Sequence, residues 1–283
     1  MSKTGLVLEG GAMRGLFTMG ILDTFLKNDI LINDVVGVSA GAAFGCNYKS
    51  GQIGRALRYN LKYCRDRRYC SKWSLLTTGD LFGAEFCYKT IPYELDPFDA
   101  EAYDNSPINF WTVATDVLTG KPVYQLINKV DDDCMDWIRA SASMPLVSRP
   151  VTVGGYTLLD GGMSDSIPLP FMVRQGILRN IVILTRPRDF VKKPENLLLF
   201  KAGLHKYPAM VETMKNRHVM YSYQRSYVFE QEKRGSALVL CPESELDIGR
   251  IEHDPAKIQA VYDEGVKVAM KRLDEIKKFL SLQ

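Results

Sequence analysis

The chain of 283 residues is 46% hydrophobic and 24% charged, enough apolar content to bury a core without disulfides or metals and too ordered a composition for a low-complexity protein. Its 36 Lys and Arg against 33 Asp and Glu leave a net charge of +3, which argues against a nucleic-acid binder. The six cysteines, at 46, 64, 70, 87, 134 and 241, form no C-x-x-C pair, and no run of 18 apolar residues exists, so neither a close-paired zinc site nor a bilayer span is expected. Met1-Ser2-Lys3-Thr4 leads straight into a strand-like run with no apolar signal core, and the expectation is a cytoplasmic protein with reduced thiols.

In chain order, Gly5 to Glu9 reads as a short buried strand, and Leu16 to Leu26 as a helix with Phe17, Ile21, Leu22 and Phe25 at helical spacing, ended by Asn28 and Asp29. Asp34 to Val38 is a second buried strand, and the small-residue run Ala40 to Gly45 opens a second helix. Residues 109–127 read as two strands joined around Thr119-Gly120, and Val151 to Leu159 as two more turning at Gly154-Gly155. The run Asp131-Asp132-Asp133 lacks the spacing and glycine of a calcium loop and reads as a helix start. Asn180 to Thr185 and Ser236 to Leu240 add strands, and two long helices follow, Tyr207 to Arg234 and Pro255 to Leu280, the latter capped by Asp254. Strand alternating with helix predicts an α/β fold of three layers, α/β/α, with a mostly parallel central sheet. We expect one domain over 1–283, its motifs in 4–170 and a helical part, 197–283, packed on them.

Three segments carry candidate chemistry. Glu9-Gly10-Gly11-Ala12-Met13-Arg14-Gly15 joins the first strand to its helix, where glycines can turn N–H groups toward an anion. It matches neither phosphate-binding pattern: Leu16 and Phe17 stand where a Walker loop needs Lys and Ser or Thr, and Ala12 breaks G-x-G-x-x-G. By itself it is an anion site or a tight structural turn. Gly37-Val38-Ser39-Ala40-Gly41 is a G-x-S-x-G, a pattern that arises by chance in roughly one chain in ten of this length. Its position, where a buried strand turns sharply into a helix, points to a nucleophile elbow that exposes the Ser39 hydroxyl. Asp160-Gly161-Gly162 follows the strand Tyr156 to Leu159 and is either a turn aspartate or a carboxylate brought to meet a serine at another strand end.

Together these segments resemble the patatin-like phospholipase family, bacterial cytoplasmic type, as do Ala140-Ser141-Ala142-Ser143-Met144-Pro145 and Ile167-Pro168 around the aspartate. The resemblance implies the patatin-like three-layer fold, a serine lipid acyl hydrolase and a Ser39–Asp160 dyad without histidine. It also implies an oxyanion hole formed by Gly10, Gly11, Ala12, Met13, Arg14 and Gly15, with Gly37 and Gly41 shaping the elbow. The substrate would be a lipid or other ester, and neither a metal nor an organic cofactor is implied. Ala12 departs from the family's third glycine, and alanine can present its N–H if φ stays negative. Glu9, where relatives often have Asp, is expected to matter little. Arg14 adds charge near the oxyanion or a lipid phosphate, or else ties the loop down by a salt bridge. Alternatives on the same scaffold are a transacylase using the same acyl-serine and a catalytically weak lipid-binding protein.

A catalytic histidine is not expected. His205, His218 and His253 follow Ser39 and Asp160 in an order an α/β-hydrolase allows, but Ser39 follows only the second strand, too early for that fold. Between 55 and 72 lie seven basic residues and one acid, a local +6 that leaves −3 for the rest. Ile53, Leu57, Leu61 and Cys64 fall on one helical face and Arg55, Arg58, Lys62 and Arg65 on the other. This face either contacts an anionic membrane peripherally or is simply solvated. The Met and Tyr side chains between Met210 and Phe229 line an acyl groove or pack a core.

Overall fold

The computed structural model describes residues 3–131 and 133–281. It opens with β1 (Thr4–Leu8), α1 (Gly15–Lys27), β2 (Asp34–Val38) and α2 (Ala40–Lys49), then α3 (Arg55–Tyr63), α4 (Lys72–Thr78), a π-helical segment Phe86–Leu95 and α5 (Ala100–Asn105). The hairpin β3 (Asn109–Asp116) and β4 (Pro122–Leu126) leads through α6 (Cys134–Ala142) to a second hairpin, β5 (Val151–Val153) and β6 (Tyr156–Asp160). After these come α7 (Leu169–Arg174), β7 (Arg179–Ile183), α8 (Leu197–Gly203), α9 (Pro208–Lys233), β8 (Ala237–Leu240), α10 (Pro255–Lys271) and α11 (Leu273–Ser281).

The strands form one sheet in the order β5-β6-β3-β2-β1-β7-β8, with β4 also on β3. β1, β2, β3, β7 and β8 pair in parallel, and the two hairpins supply the antiparallel end. Successive side chains of a strand point to opposite faces, and both faces here are apolar. Leu6 and Leu8 of β1 join the core beneath α1, α2, α6 and α10, whereas Val7 joins Val36, Val38, Val113 and Val182 beneath α7 and α9. The sheet is thus covered on both sides, as the alternation of strands and helices predicts.

The C-terminal helices are built into this arrangement. α10 lies against α1 closely enough that a Cβ on Gly265 would stand 2.0 Å from the Phe17 carbonyl oxygen. Asp254 caps α10 by accepting from the Ala256 N–H at 2.9 Å. The helix expected to run unbroken from Pro255 to Leu280 instead turns at Arg272, where the backbone leaves the helical region (φ −109°, ψ 14°). The Arg272 side chain reaches the Val239 carbonyl of β8 and the Glu275 carboxylate, so its bonds to the sheet edge coincide with the turn.

The basic stretch also differs from its helical-wheel reading. The buried face of α3 carries Arg55, Ala56, Tyr59, Asn60 and Tyr63, while Ile53 is exposed. Arg55 enters the core because its guanidinium is satisfied there: it donates to Asn47 Oδ1 at 2.9 Å and to the Asp96 carbonyl at 2.6 Å. Arg58 makes a two-pronged bond to the Asp96 carboxylate, and Arg68 pairs with Asp66. Lys62, Arg67 and Lys72 are exposed and form no ion pair among the described residues. Of the acidic run, Asp132 lies outside the described residues, and Asp133 precedes α6.

Candidate active site

Ser39 stands between β2 and α2 at φ 55°, ψ −120°, a conformation costing a non-glycine residue roughly 1–3 kcal/mol. Neighbouring contacts hold it there. Its N–H donates to Ser141 Oγ at 2.9 Å, and that hydroxyl donates to the Val113 carbonyl of β3 at 2.6 Å. The turn fits only because Gly41 lacks a side chain, whose Cβ would lie 2.5 Å from the Leu8 carbonyl oxygen. α2 begins at the next residue, so its N-terminal partial positive charge faces the serine.

Asp160 ends β6, which the register Ala114↔Asp160 aligns with β3, the strand beside β2. The Ser39 hydroxyl donates to its Oδ2 at 2.6 Å, and the Gly162 N–H donates to its Oδ1 at 2.7 Å. Its backbone is fixed as well, the N–H to the Ser143 carbonyl at 2.8 Å and the carbonyl by Thr115 Oγ1 at 2.8 Å. Burial pushes the Asp160 carboxyl above its ordinary range, against the pull of the Ser39 and Gly162 bonds and the nearby Arg217 and Arg250 charges.

Gly10 and Gly11 lead from β1 into a 3-10 turn, Ala12–Arg14, and Gly15 starts α1. The first N–H groups of such a turn have no partner within it. Ala12 corrects the expectation of a negative φ: it stands at 48°, where its Cβ is strained and a glycine would not be. The tight reversal, in which the Arg14 N–H bonds the Gly11 carbonyl at 3.2 Å, accompanies this geometry. Arg14 forms no ion pair among the described residues, and its Nε is buried without a partner, so the salt-bridge reading of this side chain does not hold. Met13 is buried in the core beneath the loop.

Glu9 is more important than its sequence suggested. It is 2% exposed, accepts from the Thr185 N–H and hydroxyl, and accepts from the Tyr221 hydroxyl of α9. Two further α9 residues, none of them visible as a motif, reach the aspartate loop. Gln224 Oε1 accepts from the N–H groups of Ser166 and Ile167 at 3.1 and 3.2 Å, while its amide donates to Asp165 at 2.6 Å. Arg217 Nε donates to the Gly162 carbonyl at 2.7 Å. One helix therefore braces both the glycine loop and the segment after Asp160. Met210, Met214 and Tyr221 of the aromatic and methionine stripe are buried, whereas Tyr223 is exposed.

Two spaces meet at Ser39, Ala12 and Met144. One is largely apolar and includes Met13, Phe44, Tyr59, Phe82 and Ile138 in its wall. The π-helical segment supplies Cys87, Tyr88, Ile91 and Pro92 to it, a contribution the periodicity did not reveal. The other is a wider cleft of mixed lining, charged and apolar, bounded by the glycine loop, Asp160 and residues of the C-terminal part. His205, His218 and His253 line neither, and the His253 ring bonds the Cys64 carbonyl. Among the described residues no cluster of His, Cys, Asp or Glu could hold a metal ion, and no helix is long and apolar enough to cross a membrane.

Comparison with known proteins gives this geometry a family. A model described as patatin-like phospholipase matches residues 6–173, and a domain of unknown function, DUF6363, matches residues 207–281. The uncharacterized protein YjjU of Escherichia coli is 32% identical over 68% of this chain and 55% of its own length. The lysophospholipase NTE1 of Kluyveromyces lactis is 27% identical over 61% of this chain but only 12% of its own length, so the chain corresponds to a small part of that protein. Among solved structures, VipD from Legionella pneumophila aligns over 97% of this chain and 67% of its own, at a TM-score of 0.49 and 13% identity. A family match covering more than half of the residues is decisive: the chain belongs to the patatin-like phospholipase family.

Proposed function

We propose that the protein is a serine lipid acyl hydrolase that cleaves phospholipid or lysophospholipid esters through an acyl-Ser39 intermediate. The observation carrying this reading is the 2.6 Å bond from the Ser39 hydroxyl to a buried carboxylate, on a strained elbow that opens into an apolar cavity. Asp160 takes the Ser39 proton as Oγ attacks the ester carbonyl carbon. The resulting oxyanion is met by N–H groups of the Gly10–Gly15 loop, each contributing a few kcal/mol in a preorganised site. Collapse expels the alcohol, which receives the proton from Asp160. Water then attacks the acyl-serine as Asp160 takes its proton, and collapse breaks the acyl–Oγ bond, returns that proton to Ser39 Oγ and releases the free acid. An aspartate at its ordinary pKa near 3.9 is a poor base for a hydroxyl, so the upward shift from burial works in the reaction's favour. The apolar cavity suits the acyl chain, at roughly 0.8 kcal/mol per buried methylene.

The deciding experiment is labelling with a serine-directed fluorophosphonate together with an ester panel on wild type and Ser39→Ala. Absence of label on folded wild-type protein removes the enzyme reading. We also read the exposed cations Lys62, Arg67 and Lys72, beside exposed Trp73 and Leu76, as a peripheral contact for anionic lipid. Vesicle co-sedimentation that does not weaken with added salt would remove that contact.

A further inference from the structure

The wider cleft beside Ser39 holds more positive charge than acyl transfer requires. Five cations line it: Arg14 from the glycine loop, Arg186 and Lys192 from the segment after β7, Arg217 from α9 and Arg250 from the loop after β8. The same wall holds three carboxylates, so five cations against three anions leave it a net +2. Glu9 is bonded by Tyr221 and Thr185, and Asp160 by Ser39 and Gly162. Glu195 pairs with Arg217 at 3.2 Å and Lys192 at 3.7 Å. Arg186 pairs with Glu245, outside the cleft. Arg14 and Arg250 have no ion pair among the described residues, and Arg14 Nε is buried with no acceptor.

These cations disfavour one another. Arg14 is pushed down to about 10, first by burial and then by Arg186, against the upward pull of Glu9 and Tyr221, with Arg250 adding a smaller downward push. Lys192 is pushed down to about 8, by burial and then by Arg217, against the upward pull of Glu195, with Arg250 and Arg186 lowering it further. Like charges gathered where water is partly excluded repel strongly unless an anion joins them. Guanidinium groups suit a phosphate, whose oxygens accept their paired N–H donors. Ser39 lies at the boundary of the two spaces, so an ester held there with its acyl chain in the apolar cavity directs its alcohol part into the cleft.

We propose that Arg14, Arg186, Lys192, Arg217 and Arg250 form a subsite for the phosphate of the substrate's head group, to which the C-terminal segment matched as a domain of unknown function contributes the last two. This rests on the hydrolase reading given above. Arg217 and Arg250, both within residues 207–281, bring that segment's charge to the dyad.

The test compares kcat/KM for a lysophosphatidylglycerol and for a monoacylglycerol with the same acyl chain, in wild type, Arg250→Gln and Arg250→Lys. Arg250 is exposed, so neither substitution disturbs the core. The wild-type preference for the phosphate-bearing ester should fall at least tenfold in Arg250→Gln, and Arg250→Lys should recover part of it. An unchanged preference, or equal loss on both substrates, overturns the subsite. A second arm needs no turnover: glycerol 3-phosphate binding, measured by calorimetry, should weaken at least tenfold in Arg250→Gln. If wild type cleaves neither ester but this binding behaves as expected, the hydrolase reading fails and the phosphate subsite stands. If inorganic phosphate binds as tightly as glycerol 3-phosphate and substrate preference is unchanged, the site holds a free anion and the head-group assignment is overturned.

Discussion

Residues 4–170 and 197–283 contribute to the same site by different physical means. In the first region, backbone geometry demands particular residue types at fixed spacing. The elbow needs a small residue wherever another backbone approaches, so Gly41 and Ser39 must stand two positions apart. In the second, Arg217, Tyr221 and Gln224 lie four and three residues apart on one face of α9, and each needs only to reach its partner. The first kind of requirement leaves a motif. The second leaves polar side chains in a helix, which look like surface residues until their partners are seen.

Substitutions can test whether this contrast is functional, beginning with the largest effect. Ser39→Ala should lower ester hydrolysis by about 10⁴-fold or more and abolish fluorophosphonate labelling. Asp160→Asn should lower kcat by about 10³–10⁴-fold, as expected for loss of the base with shape retained. It should also make the protein more stable. The folded Asp160 pKa lies above that of the unfolded chain, so its contribution is full below about pH 4 and is lost as pH rises through the folded value. The gain from asparagine should therefore be greatest at neutral pH and vanish in acid, as read by thermal unfolding at several pH values. For the same reason, the acid limb of the wild-type kcat/KM profile should fall above the ordinary carboxylate range. An acid limb near pH 3 would show that Asp160 is not the base.

Gln224→Leu tests the C-terminal side. The change leaves the Ser166 and Ile167 N–H groups and the Asp165 carboxylate without their buried partner, a loss of about 2–4 kcal/mol in urea unfolding. It should lower kcat by roughly tenfold through slackening of the Asp160 loop, with KM changed less. Stability lost at wild-type kcat would reduce α9 to packing and leave catalysis to the first region alone.

How much the sequence revealed follows the same division. β2 begins and ends at the residues read from its apolar run, and both hairpins turn at the glycines that marked them, because turn chemistry and burial are local. A helical wheel places Arg55 outside because it assigns faces by polarity, whereas Asn47 on the preceding helix and the Asp96 carbonyl, 41 residues away, let its guanidinium be buried. The π-helical wall of the apolar cavity has no simple period to detect, and Pro92 inside it obscures a helix signal further. Glu9 looked incidental because its partners, Thr185 and Tyr221, arrive from 176 and 212 residues away.

The smallest expected effect concerns Ala12. Glycine there removes the Cβ penalty of a positive φ, about 1–2 kcal/mol, but gives the unfolded chain more freedom, returning about 0.4–1 kcal/mol. Ala12→Gly should therefore raise stability by about 1 kcal/mol or less. Both residues present an N–H, so if the loop already forms a working oxyanion hole, kcat should change by less than about threefold. The rival view, that alanine has cost the scaffold its activity, requires a different result: Ala12→Gly would then raise ester hydrolysis by the 10²–10³-fold expected from restoring one oxyanion donor. Measuring kcat and unfolding free energy on the same variant separates the cases, since relief of strain alone moves only the second.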